Sequence, residues 1–167
     1  ILAKFAKRVF QAFPGAFVDG ETTGNPVRME ISAIPSPELR QVGQHMPIRL
    51  LVLGGSLGAL AINHLVPQAL ALAGQGSTKT FDVRHQCGRK HDDVTRQAYS
   101  DSGVDAVVEP FISDMASAYA WADFIICRSG ALTVSELAVA GVGALLIPFP
   151  AAIDDHQTAN GQWLVKN

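Results

Sequence analysis

Five short apolar runs, each closing on turn residues and each followed by a stretch of helix length, constrain this chain more than any other feature. They are Ile48 to Gly55 (IRLLVLGG), Phe81 to Cys87 (FDVRHQC), Asp105 to Phe111 (DAVVEPF), Asp123 to Cys127 (DFIIC) and Ala144 to Pro150 (ALLIPFP). Apolar runs of strand length, bounded by turn signals, read as strands buried on both faces. The segments between them begin near Leu57, Asp92, Ser113 and Ala131, with a last one near Asp155. That βαβα order predicts a parallel sheet with helices on both faces, and right-handed crossovers make it a doubly wound, Rossmann-like α/β fold. Ligands of such sheets bind at the carboxyl ends of the strands, so the turns that follow those ends are where function is sought. Pro67 falls inside the first helical pattern, where its missing N–H predicts a bend or a split.

Composition excludes several classes. With 167 residues, 48% hydrophobic and 17% charged, the chain can bury a substantial core of one domain. A formal charge of -2, with only "AKFAKR" locally basic, argues against a nucleic-acid partner, since phosphate neutralisation needs clustered Lys and Arg. Cys87 and Cys127 stand far apart without C-x-x-C spacing, so neither a zinc site nor a disulfide framework is suggested and a reducing, cytosolic compartment fits. No apolar run approaches the roughly 20 residues of a membrane-spanning helix, and no signal-peptide pattern is seen. Residues 1–24 contain Pro and Gly breaks and no complete βα unit, and read as the trailing edge of a preceding domain plus a linker. The proline-rich "ISAIPSPELRQVGQHMP" reads as a surface connection into the first strand.

Three turns carry chemistry. Gly54-Gly55-Ser56-Leu57-Gly58-Ala59 opens a helix, where free N–H groups and the helix dipole favour an anion and Ser56 adds a hydroxyl. No Gly-Lys-Ser/Thr follows, and G-x-G-x-x-G fails at Leu53, so this is neither a Walker A loop nor a dinucleotide fingerprint. Alone, it is equally a phosphate cradle or a tight turn that needs glycine. Thr133-Val134-Ser135-Glu136 fits a capping box. Just before it, Ser129-Gly130-Ala131 makes a second small-residue turn. Two such turns can grip one diphosphate, with Glu136 projecting from the first helical turn to accept hydrogen bonds from both hydroxyls of a ribose. The third turn, "DDHQTANGQ", places His156 and Gln157 near a helix start where they could reach sugar hydroxyls; acidic residues complementing a helix dipole is the competing reading.

Taken together, "GNPVR" (24–28), "GGSLGA", "HQCG" (85–88), "FISDMASAYAWAD" (111–123), "CRSGALTVSE" (127–136) and "DDHQTAN" (154–160) closely resemble the MurG family of bacterial glycosyltransferases. That family adds N-acetylglucosamine from UDP-N-acetylglucosamine to undecaprenyl-pyrophosphoryl-MurNAc-pentapeptide, converting lipid I to lipid II in peptidoglycan synthesis. The resemblance implies one half of a GT-B glycosyltransferase: residues 25–167 as the carboxyl-terminal UDP-sugar-binding domain, cut short at its end, after the close of the acceptor domain in residues 1–24. Residue by residue, it implies that Arg28 lies near the donor's phosphates or sugar and that Ser56 hydrogen-bonds a phosphate oxygen. It further implies that the Ile112 backbone reads the uracil edge. Ala131, Leu132 and Thr133 would offer backbone N–H groups to sugar and diphosphate, with Val134 and Ser135 in the same stretch and Glu136 on the ribose hydroxyls. Gln157 would contact the N-acetylglucosamine hydroxyls, with His156 beside it. Also implied are an inverting transfer without cofactor or metal, a catalytic base and a lipid I site on the other domain, and a peripheral position on the cytoplasmic face of the plasma membrane. Another GT-B enzyme using a different UDP-sugar, or a non-catalytic nucleotide-binding module, is the alternative.

Overall fold

The structure, a computed structural model, describes residues 5–15, 17–55, 58–150 and 155–166. Five strands form one parallel sheet: β3 (Ile48–Leu53), β4 (Phe81–Gln86), β5 (Val107–Glu109), β6 (Phe124–Cys127) and β7 (Gly143–Leu146), in the order β5-β4-β3-β6-β7. Two short strands precede them, β1 (Phe10–Gln11) and β2 (Glu21–Thr22), which pair with each other as a separate two-stranded sheet. The helices are α1 (Met29–Ser32), α2 (Leu60–Gly74), α3 (Asp92–Ser102), α4 (Met115–Trp121), α5 (Ala131–Ala140) and α6 (His156–Lys166).

Strand β3 shows why the sheet sits where it does. Its side chains alternate between faces, as the two-residue period requires. Leu51 and Leu53 join Ile31, Tyr119, Ile125 and Leu137 in one core, under α1, α4 and α5. Leu50 and Val52 join Ile62, Val66, Val83 and Tyr99 in the other, under α2 and α3. Helices therefore cover both faces, and the Rossmann-like expectation holds. Burial on both faces, expected of every strand, is met by the middle of the sheet only: β7, the last strand of the sheet among the described residues, alternates between exposed and half-buried residues.

The chain winds outward from β3 in two directions, through β4 to β5 and then back through β6 to β7. The order reverses between β3 and β6, whose ends are in register, Leu53 opposite Cys127. That reversal opens a crevice at the carboxyl ends of these two strands.

One sequence expectation meets a different outcome and another gains detail. Pro67 does not split α2, which runs unbroken from Leu60 to Gly74 with Pro67 buried on its packed side. The missing N–H costs one bond, to the Asn63 carbonyl, and the packed face holds the helix across it. The proline-rich connection does lie largely at the surface, but it is pinned at several points. Ile31 is 1% exposed. The Arg40 guanidinium donates to the carbonyls of Pro35 (2.8 Å), Tyr119 (3.2 Å) and Ala140, tying the connection to the ends of α4 and α5. Further on, the buried Asp123 carboxylate accepts from the backbone N–H groups of Gly43 and Arg49 (2.9 Å each) and meets Nδ1 of His45 at 2.7 Å.

Burial alone would push the Asp123 carboxyl up; the Arg49 N–H, the His45 ring and the Gly43 N–H outweigh it and hold the carboxyl below its ordinary range. A depressed folded-state pKa stabilises the fold above the unfolded pKa, and that contribution disappears as pH falls through the folded value. Asp123→Asn is therefore expected to be less stable than wild type in neutral denaturant titrations, with the gap closing in acid. A gap independent of pH would remove Asp123 as its source.

Candidate functional site

Two clefts open at the crevice. The first, of about 290 Å³, is lined by Arg28, Gly54, Gly55, Gln86, Phe111, Ile112, Tyr119, Arg128, Thr133 and Glu136, among others. The second, of about 400 Å³, is lined by Gly54, Gly58, Ala59, Leu60, His91, Arg128, Phe149 and Gln157. They share Gly54 and Arg128 and so meet at the switch point. A larger hollow of about 720 Å³ lies elsewhere, between β7 and α6; its lining is mostly aliphatic, with Thr158, Gln162 and Lys166 as its polar members.

Helix α5 begins directly from β6 through Ser129 and Gly130. Gly130, extended at φ -62 and ψ 146, is its N-cap, no side chain caps it, and the Val134 N–H bonds the Gly130 carbonyl at 2.9 Å. The capping-box reading is thereby corrected. Thr133 is the third helical residue rather than the cap, and Glu136 sits in the second turn, because the small-residue turn starts the helix earlier than the box requires. The N–H groups of Ala131, Leu132 and Thr133 precede the intrahelical ladder and, among the described residues, face an end without a side-chain cap, the condition under which a helix start receives an anion.

Glu136 has its own setting. Its side chain is 16% exposed. Oε1 accepts from Nη2 of Arg28 at 3.1 Å and Oε2 from the Tyr119 hydroxyl at 3.0 Å. Burial and the neighbouring carboxylate push the Tyr119 hydroxyl above its ordinary value, so it remains a donor. The "GNPVR" segment reaches α5 through two contacts: Arg28 on Glu136, and Asn25 Nδ2 on Ser135 Oγ at 3.0 Å. The Ser135 hydroxyl in turn donates to the Ala131 carbonyl at 3.0 Å.

Of the other expected residues, Ile112 is 4% exposed, with its side chain in the core beneath the first cleft. Leu132 is exposed on α5 and Val134 is fully buried. Gln157 lines the second cleft, and its Oε1 accepts from the Phe149 N–H at 2.9 Å, which orients the carboxamide with its NH₂ as the remaining polar face. His156 is exposed at the first position of α6. Ser56 lies outside the described residues, as does Asp154.

Beneath the glycine-rich turn runs a buried polar chain. Asn63 Nδ2 donates to the Cys87 carbonyl (2.9 Å), so its Oδ1 accepts from His85 Nε2 (3.0 Å), and His85 Nδ1 accepts from the Tyr99 hydroxyl (2.9 Å). Burial pushes His85 down to about 4, which keeps the ring neutral and this donor order fixed. Sequence reasoning passed over Tyr119, His91, Phe111 and Arg128. Tyr119 and Arg128 stand inside recognised motifs, but nothing local distinguishes a tyrosine or arginine that faces a cleft.

Residues 49–167 match the model of the glycosyltransferase family 28 C-terminal domain. The UDP-N-acetylglucosamine--N-acetylmuramyl-(pentapeptide) pyrophosphoryl-undecaprenol N-acetylglucosamine transferase of Xanthomonas campestris pv. campestris (strain 8004) is 55% identical over 165 residues, 99% of this chain and 38% of the relative. The transferase of the same name from Marinobacter nauticus is 55% identical over 168 residues, covering 99% and 46%. A crystal structure of Acinetobacter baumannii MurG superimposes with a TM-score of 0.80 at 39% identity, over 99% of this chain and 46% of that one. The chain thus spans less than half the length of these relatives. A family match over residues 49–167, joined to a crevice built at the switch point of a parallel sheet, shows that the chain belongs to glycosyltransferase family 28 and carries its C-terminal domain.

Proposed function

We propose that this chain supplies the donor half of an inverting glycosyltransferase. The enzyme moves N-acetylglucosamine from UDP-N-acetylglucosamine to the 4-hydroxyl of MurNAc in undecaprenyl-pyrophosphoryl-MurNAc-pentapeptide, giving lipid II for peptidoglycan. The observation that carries this reading is the pair of clefts meeting beside an uncapped helix start, with a carboxylate held in one of them. The names of the curated relatives supply the donor and the acceptor.

In this arrangement uridine occupies the first cleft, with Ile112 at the base and Glu136 accepting from the ribose hydroxyls. Arg28 and Tyr119 hold that carboxylate in place. The diphosphate lies at the junction, against the first turn of α5 and the turn that opens α2, and the sugar enters the second cleft beside Gln157. The acceptor oxygen attacks the anomeric carbon from the opposite face. The bond from that carbon to the diphosphate oxygen breaks, UDP leaves with the electron pair, and the acceptor's proton passes to a base on the acceptor half. Dipoles aimed beforehand at the leaving oxygens lower the barrier, because they need no reorganisation as charge develops. Residues 25–167 form the donor unit and residues 1–24 the close of the acceptor unit. A lipid-linked acceptor is the support for a peripheral position on the cytoplasmic face of the plasma membrane; among the described residues no helix is long and apolar enough to cross a membrane.

Calorimetric titration of the chain with UDP-N-acetylglucosamine, UDP-glucose, UDP-galactose and NADH tests this. Saturable binding that prefers UDP-N-acetylglucosamine is expected. Preference for another UDP-sugar would reassign the donor, and tight NADH binding without UDP binding would sink the reading in favour of a dinucleotide module.

A further inference from the structure

Arg128 follows β6 and lines both clefts at the point where they meet. Its guanidinium is fixed from one side. Nη1 donates to the carbonyls of Ile147 (3.2 Å) and Pro148 (2.8 Å), and the group lies 5.5 Å from the Phe149 ring centroid. Those two carbonyls account for both hydrogens of Nη1. Nε and Nη2, the edge with which arginine engages two oxygens side by side, have no partner among the described residues. Nor does any described carboxylate pair with Arg128, whereas Arg28, Arg84 and Arg96 each have one. A half-buried guanidinium, held still and left with an open bidentate edge beside the uncapped start of α5, is organised for an anion before the anion arrives.

We infer that Arg128 binds the diphosphate of the nucleotide sugar through Nε and Nη2, while its Nη1 keeps the loop after β7 in place. This rests on the donor-site reading above and adds the group that neutralises the leaving diphosphate. Arg28 then serves chiefly to hold Glu136. As the anomeric carbon–oxygen bond breaks, the charge that gathers on the diphosphate meets a cation already in position.

The test compares uridine and UDP as ligands of the whole chain, by calorimetry with circular dichroism as the check on folding. Arg128→Gln, Arg128→Lys, Arg28→Gln and Phe149→Ala are set beside wild type. Arg128→Gln should weaken UDP about tenfold or more while uridine stays within about twofold, since only the charge-assisted bonds are lost. Arg128→Lys should restore part of the loss, and should the glutamine variant fail to fold, the lysine variant carries the same comparison. Phe149→Ala, which loosens the loop and keeps the charge, should retain the preference for UDP over uridine. Equal losses for both ligands, a selective loss in Phe149→Ala, or a diphosphate-specific loss that follows Arg28→Gln instead would each overturn the assignment. A wild-type chain that binds neither ligand would overturn the donor-site reading and this assignment with it; that outcome is told apart because it appears before any substitution is made.

Discussion

Replacing Glu136 by alanine is expected to lower affinity for UDP and UDP-sugars by roughly 100-fold or more, two charge-assisted hydrogen bonds being worth about 1.5–3 kcal/mol each. A carboxylate offers about four lone-pair positions. In the structure Arg28 takes one on Oε1 and Tyr119 one on Oε2, so one position on each oxygen remains for the two hydroxyls of a ribose. Two donors already in place leave the carboxylate little freedom to lose on binding. Removing it also strands the Tyr119 hydroxyl, on a residue 1% exposed, so a fall in stability of about 1–3 kcal/mol should accompany the loss of affinity. The two effects separate with 2′-deoxy-UDP, which lacks one of the hydroxyls: Glu136→Ala should cost this ligand clearly less than it costs UDP. Equal losses for the two would place the ribose away from Glu136, and unchanged UDP binding would end its role altogether.

Gly58→Ala should destabilise the fold by about 2–5 kcal/mol and close the second cleft. Gly58 has φ +80, where a β-carbon costs about 1–2 kcal/mol by itself. Such a carbon would also lie 2.6 Å from the Cys87 carbonyl oxygen and 2.3 Å from Cδ2 of His91. The imidazole can turn aside; the carbonyl cannot, because Asn63 donates to it and the Cys87 N–H is bonded to Glu109. Gly55 is the internal comparison, with φ +76 but nothing within 4 Å of the added carbon, so Gly55→Ala should show the backbone cost alone. Denaturant titrations of the two variants decide the matter, and equal costs would mean that the carbonyl gives way.

The sheet was legible because its signal is local. Each of the five strands β3 to β7 announces itself by an apolar run, and α2 to α6 start within a few residues of where spacing puts them; β1, β2 and α1 carry no such signal. Handedness gave a doubly wound sheet, whereas the order β5-β4-β3-β6-β7 was not readable from the sequence. What escaped depends on partners distant in sequence. Thr133 and Glu136 have the spacing of a capping box, which competes with a helix start near Ala131, and the backbone at Gly130 decides for the earlier start. Arg40 reads as an ordinary surface charge, although its three carbonyl partners come from three parts of the chain. At the site, the turns and Glu136 could be found from motifs. Its partners Arg28 and Tyr119 stand 108 and 17 residues away, and no spacing rule joins them to it. Arg128 was visible in its motif, yet its role depends on two carbonyls after β7 that take one edge of the group and leave the other.

The match to the family 28 C-terminal domain model begins at residue 49, but the packing begins earlier. A C-terminal domain transplanted from that point onto a foreign partner domain would arrive with a vacancy where Ile31 sat and with the carbonyls of Tyr119 and Ala140 uncovered. Asp123 would lose two of its three partners, and Glu136 would lose its arginine. A transplant therefore has to carry the strap from Asn25 to Pro47 along with the sheet: the mechanical unit starts ahead of the matched domain.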